Sequence, residues 1–236
     1  MRDTMRHFAA EFIGTFALVF IGGAAIMGTK RPDASIGLIG VALAHGLILA
    51  IMVTATMRVS GHLNPAVTIG VLVARRIAPM MAGIYIAAQL LGAMAAAYTL
   101  KATFPPALFE AARGGGQFID LNINSGQAYA LEAIATFFLV FVVFGTAVDP
   151  EHPNVGGFAI GLTIAADILA IGPLTGGSMN PARSFGPAVA TGIFEGQLIF
   201  WIGPIIGSIA AALLYEHLFI RRAIEPVDHG AVAAVR

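Results

Sequence analysis

The chain has 236 residues, with 13 basic and 13 acidic side chains, no cysteine and a formal net charge of zero. Only 11% of its residues are charged and 58% are hydrophobic, giving a mean hydropathy of +0.84; soluble domains carry about 25% charge. A water-exposed globular surface is excluded, as are a basic nucleic-acid footprint and thiol or thiolate-metal chemistry. The expected partner is therefore the lipid bilayer, with no nucleic acid and no cofactor.

Crossing ~30 Å of hydrocarbon takes about 20 mostly apolar residues in a helix. Six runs meet this, at 8–28, 36–57, 79–101, 127–148, 155–173 and 198–220. The first is too long, and carries Glu11 too early, for a cleaved signal peptide. Two shorter apolar pieces, 63–74 and 179–194, have the length of re-entrant segments. The longest connection is 102–126.

Lys and Arg set the orientation. With the N-terminus inside, Arg2, Arg6, Arg58, Arg75, Arg76, Arg221, Arg222 and Arg236 fall on the inner side. Lys30, Arg31, Lys101 and Arg113 fall outside, and Arg183 belongs to neither set. Both termini are expected to be cytoplasmic, in a cytoplasmic (inner) membrane.

The sequence repeats itself. Residues 10–20 (AEFIGTFALVF) resemble 131–141 (LEAIATFFLVF), an offset of 121. Residues 61–67 (GHLNPAV) resemble 177–183 (GSMNPAR) at 116, and 92–97 (GAMAAA) resemble 207–212 (GSIAAA) at 115. Each half holds three spans, so the second half enters the membrane upside down. Such inverted repeats usually place a site at the midplane. The chain is thus one channel-like domain over 1–236, with halves 1–113 and 124–236 joined by an extracellular loop at 102–126.

Asn is a strong N-cap and Pro is favoured at the first helical position. Asn64-Pro65-Ala66 and Asn180-Pro181-Ala182 therefore read as starts of two half-helices whose N-termini meet near the midplane. One such tripeptide is an ordinary capped helix start; two at matched repeat positions are not an ordinary coincidence. The preceding backbone, Gly61, His62 and Leu63 in one half and Gly176, Ser178 and Met179 in the other, is expected to be non-helical and to line a wet path with its carbonyls, since irregular backbone at this depth needs protein or water beside it. Converging helix N-termini repel cations and hydronium, while neutral polar molecules still find donors.

These two motifs (GHLNPAVT at 61–68 and GGSMNPARS at 176–184), with the Glu-bearing first span of each half, resemble the aquaporins of the major intrinsic protein family over essentially the whole chain. The resemblance implies an all-α membrane protein of six tilted transmembrane helices and two half-helices, one pore per subunit, and a homotetramer. It implies that Glu11 and Glu132 brace the non-helical backbone. Glycerol facilitators of the family usually carry Asp where this chain has Ser184, and tend to lack the aromatic pair seen at Phe200-Trp201. Both features favour a water channel, with the glycerol facilitator as the alternative.

Matching to the family places an outer selectivity filter at His45, Ile168, Gly177 and Arg183. This set resembles a plant vacuolar-membrane subgroup that also passes ammonia, rather than the common Phe-His-small-Arg pattern. Pore width and lining donors set what passes. Such a filter is wider than the strict water type and is expected to admit water with ammonia, urea or hydrogen peroxide, while Arg183 rejects cations. His62 is expected to pack at the inner vestibule. Asp167, next to Ile168, reads either as a side chain turned away from the pore and bonded to backbone or a neighbouring helix, or as an attractor of ammonium. A secondary transporter, the more remote alternative, would need a bistable gate and coupling-ion ligands, for which Asp167 is the only unpaired acid near the midplane; an enzyme would need a paired nucleophile and base, and no such pattern stands in the sequence.

Overall fold

The computed structural model describes residues 2–220, apart from 32, 34, 35, 152 and 154. Arg221, Arg222 and Arg236, counted above on the inner side, lie outside the described residues. Nine α-helices are present among the described residues: α1 (Arg2–Gly28), α2 (Gly37–Thr56), α3 (Pro65–Val73), α4 (Pro79–Thr103), α5 (Pro106–Ala111), α6 (Ser125–Val143), α7 (Phe158–Thr175), α8 (Pro181–Thr191) and α9 (Gln197–Leu218). Six of them are long and apolar enough to cross a membrane. At 1.5 Å per residue, even the 18 residues of α7 extend about 27 Å.

Most boundaries fall within a few residues of expectation, and the departures have local causes. Helix α1 begins at Arg2 rather than residue 8, because a helix can continue on polar residues beyond the hydrocarbon. Helix α6 ends in a π-helical turn, Phe144–Val148. Helix α7 starts three residues late and runs past Pro173. The 102–126 connection holds α5 and a short 3-10 turn at Arg113–Gly115. Phe109 and Ala112 of this loop pack with Met27, Leu100 and Ala190.

The inverted repeat is visible in the packing. Helices α1 and α4 pair closely in the first half, and α6 and α9 do so in the second. Gly92 lies against the Phe12 carbonyl, and Gly207 lies against that of Ala133. A β-carbon at either position would strike backbone, so these two glycines set the helix separation. The halves join through α2 and α7, where Gly46 and Gly161 abut each other's carbonyl oxygens. The half-helices cross over: α3 packs on α9, and α8 packs on α4. Ser208 of α9 donates to the Ala66 carbonyl at 2.6 Å.

Large apolar side chains such as Ile13, Leu47, Ile134 and Leu162 are exposed on the outer faces, as expected of a surface in lipid. At one end of the bundle, Arg76 grips Glu216 with two hydrogen bonds of 2.9 and 2.8 Å. That carboxylate raises the Arg76 pKa, so the guanidinium stays charged.

Candidate functional site

Both half-helices begin where capping chemistry dictates. Asn64 is extended, and its Oδ1 accepts from the Ala66 N–H at 2.8 Å. Asn180 does the same with Ala182 and Arg183, at 3.0 and 3.3 Å. Pro65 and Pro181 hold the first helical positions, where a missing N–H costs nothing. The spare amides cross between the halves. Asn64 Nδ2 donates to the Met179 carbonyl at 2.8 Å, and Asn180 Nδ2 donates to the Leu63 carbonyl at 2.9 Å. One N–H of each Asn is therefore spent on the opposite loop, leaving the other for the path.

The backbone before each cap is held by a buried glutamate. Glu11 accepts from the His62 and Leu63 N–H groups at 2.9 and 2.7 Å, from Gln89 at 2.6 Å, and from the Ser60 hydroxyl. Glu132 accepts from the Ser178 and Met179 N–H groups at 2.9 and 2.7 Å, and from the Thr175 hydroxyl at 2.7 Å. These bonds stabilise an unfavourable conformation: Leu63 and Met179 have φ of 51° and 52°, and non-glycine residues there cost on the order of 1–3 kcal/mol each.

A narrow cavity lies between the halves, lined by residues of both. His45 from α2, Ile168 from α7, Gly177 from the second loop and Arg183 from α8 all border it, together with Gly61, His62, Asn64, Ser178, Met179 and Asn180. The rest of the wall is apolar, including Leu49, Val53, Leu139 and Ile164. Two residues expected along the path do not border it. Leu63 is fully buried with its side chain against Gly14, and Gly176 closes the C-terminus of α7. The carbonyls of Leu63 and Met179 each accept one hydrogen bond from the opposite asparagine, and each keeps a second lone pair.

The four bordering residues His45, Ile168, Gly177 and Arg183 all differ in chemistry. His45 Nδ1 lies 2.8 Å from the Val41 carbonyl; a carbonyl only accepts, so Nδ1 carries the proton. Ile168 offers an apolar wall, and Gly177 no side chain at all. Arg183 is 4% exposed, and its Nε, Nη1 and Nη2 have no protein partner. Its donors therefore remain for whatever enters. Farther along the wall, the His62 ring meets Tyr85 edge-on with centroids 5.1 Å apart, and its Nδ1 lies 3.1 Å from Thr68 Oγ1.

Two polar residues escaped sequence reasoning. Gln89 ties Glu11 to Thr68, at 2.6 and 3.0 Å; its repeat partner is Pro204, so the repeat gave no hint of it. Gln117, in the 102–126 connection, is buried against Gly176 with both amide atoms unpaired. No local pattern marks it.

The sequence profile of the major intrinsic proteins matches residues 1–215. The chain belongs to the major intrinsic protein family. Among similar relatives, aquaporin TIP2-1 of Arabidopsis thaliana is 42% identical over 230 residues, covering 92% of this chain and 88% of the relative. Aquaporin TIP4-4 of Zea mays is 41% identical over 226 residues, covering 92% and 87%. The X-ray structure of the aquaglyceroporin from Plasmodium falciparum superposes with a TM-score of 0.80 at 25% identity, covering 91% of this chain and 96% of that one. The protein is an integral multi-pass membrane channel that passes water and small solutes passively. Its similar relatives are plant tonoplast-type aquaporins, so the expected placement in a cytoplasmic inner membrane is not borne out.

Proposed function

We propose that this aquaporin passes water together with ammonia and other small neutral solutes, such as urea or hydrogen peroxide, and rejects protons and ions. The observation that carries this is the convergence of His45, Ile168, Gly177 and Arg183, from four separate elements, on one passage with both capping asparagines. An apolar Ile168 and a bare Gly177 leave a wider, less water-like ring than one of two large polar side chains. Arg183 and the two helix N-termini place positive potential along the path, which opposes cations. The free N–H of Asn64 and of Asn180 orients water at the midplane and so opposes proton relay.

The same reading takes 1–236 as a single channel domain with halves 1–113 and 124–236, both termini on the cytoplasmic side, and four copies assembled as a homotetramer with one pore each. The superposed aquaglyceroporin makes glycerol the competing permeant. Ser184 instead of an acid after Arg183 speaks against it.

Purified protein in proteoliposomes tests the permeant. Stopped-flow swelling with water, glycerol and urea, and internal alkalinisation by ammonia, are compared for the parent, His45→Phe and Ile168→His. The parent should pass water and ammonia with little glycerol. Ile168→His should cut ammonia flux more than water flux. Ammonia flux that is absent in the parent, or untouched by Ile168→His, would sink the filter assignment.

A further inference from the structure

The imidazole of His45 does not hang free beside the passage. Its far edge, opposite the Cβ, rests on the bare Cα of Gly22 in α1. A methyl group built on Gly22 would overlap Nε2 and come within 2.5 Å of Cδ2 and 2.7 Å of Cε1. These are the three nearest atoms to that methyl, and all belong to His45 rather than to backbone. The other side of the ring is tethered, because Nδ1–H donates to Val41 at 2.8 Å. The ring is thus clamped between its own helix and a notch in the neighbouring one.

The inverted repeat shows that the notch is specific to one half. The offset of 121 that takes Glu11 to Glu132 takes Gly22 to Val143. The offset of 115 that takes Gly46 to Gly161 takes His45 to Ile160. Val143 and Ile160 both line the passage. Where the second half fills the wall with Val and Ile, the first half removes one side chain and enlarges the other. The large ring at 45 is accommodated by the absent side chain at 22.

We infer that Gly22, which touches no permeant, is a specificity-determining positioning residue: it draws the His45 imidazole back against α1 and thereby sets the width of the outer constriction. A side chain at 22 drives the ring toward the lumen, because the Val41 tether blocks retreat along α2. Narrowing falls hardest on the larger permeants. The proposal rests on the filter reading above and adds a residue outside the filter to it.

The test is a double-mutant comparison in proteoliposomes, with water and urea as probes. Gly22→Ala in the parent should lower urea permeability several-fold and water permeability less. In a His45→Ala background, where no ring occupies the notch, Gly22→Ala should change neither value. Equal effects in both backgrounds, or no effect in the parent, overturn the proposal. If Gly22→Ala alone cannot be recovered folded, recovery of the Gly22→Ala, His45→Ala pair supports the notch, and failure of both overturns it by making the backbone the obstacle. The filter reading fails separately, when His45→Phe and Ile168→His leave every flux unchanged.

Discussion

The side-chain amide of Asn64 donates to the backbone carbonyl of Met179 across the midplane, and 2.8 Å separates them. The reciprocal bond, from Asn180 to Leu63, is 2.9 Å long. Each asparagine thus caps its own half-helix and fastens the other half's loop. The motif has a mechanical duty besides its electrostatic one. Asn64→Ala should lose the cap and strand the Met179 carbonyl, at a cost of about 2 kcal/mol or more. Asn64→Ser keeps a capping oxygen but cannot reach Met179, so it isolates the cross-bond. Thermal melting in detergent should rank parent above Ser above Ala. A serine variant that melts with the parent would show that the cross-bond adds no stability.

Glu11 and Glu132 hold the two strained residues Leu63 and Met179 by their N–H groups. Glutamine keeps one acceptor and turns an N–H₂ group toward donors that need an oxygen. Each hydrogen bond to a charged group contributes about 1.5–3 kcal/mol, and the strain is then no longer offset. Glu132→Gln should lower the melting temperature and speed hydrogen exchange at the Met179 amide. Glu11→Gln should be worse, because Glu11 also takes the Gln89 amide. Unchanged exchange at Met179 in Glu132→Gln would remove the bracing role.

Arg183 presents a buried guanidinium whose donors meet no protein acceptor. Burying a charge this way is costly unless entering water or solute satisfies it. Arg183→Ala should therefore preserve or improve folding while weakening cation exclusion. The check is a flux assay for protons and methylammonium across proteoliposomes, with water swelling measured in parallel. Cation leak no greater than in the parent would move exclusion onto the half-helix termini alone.

What could be read in the sequence is what local chemistry writes there. Asn followed by Pro marks a helix start whatever surrounds it, so Pro65 and Pro181 began their helices as expected. The matched glutamates were legible because the chain states them twice. Gly22 was not, since a glycine in an apolar span says nothing until the ring it accommodates, 23 positions away in the sequence, is placed against it. Gln117 and Gln89 depend on tertiary approach in the same way. The exclusion of Leu63 from the path depends on tertiary packing, its side chain lying against Gly14, which no leucine announces. Asp167 was legible only as an anomaly, and its environment now separates the two roles considered for it.

Asp167 does not border the passage, although Ile168 beside it does. Its Oδ2 is buried and unpaired, so that oxygen does not make the expected bond to backbone or a neighbouring helix. An acid at membrane depth costs on the order of 2.5–3.5 kcal/mol at the centre of a spanning helix, and no cation among the described residues offsets it. A side chain so placed neither touches the permeant nor gains from its charge. Asp167→Asn keeps the shape and removes the charge, so it should raise the melting temperature and leave the ammonia-to-water permeability ratio as it was. A fall in that ratio, at unchanged water permeability, would instead assign Asp167 the attraction of ammonium toward the outer mouth.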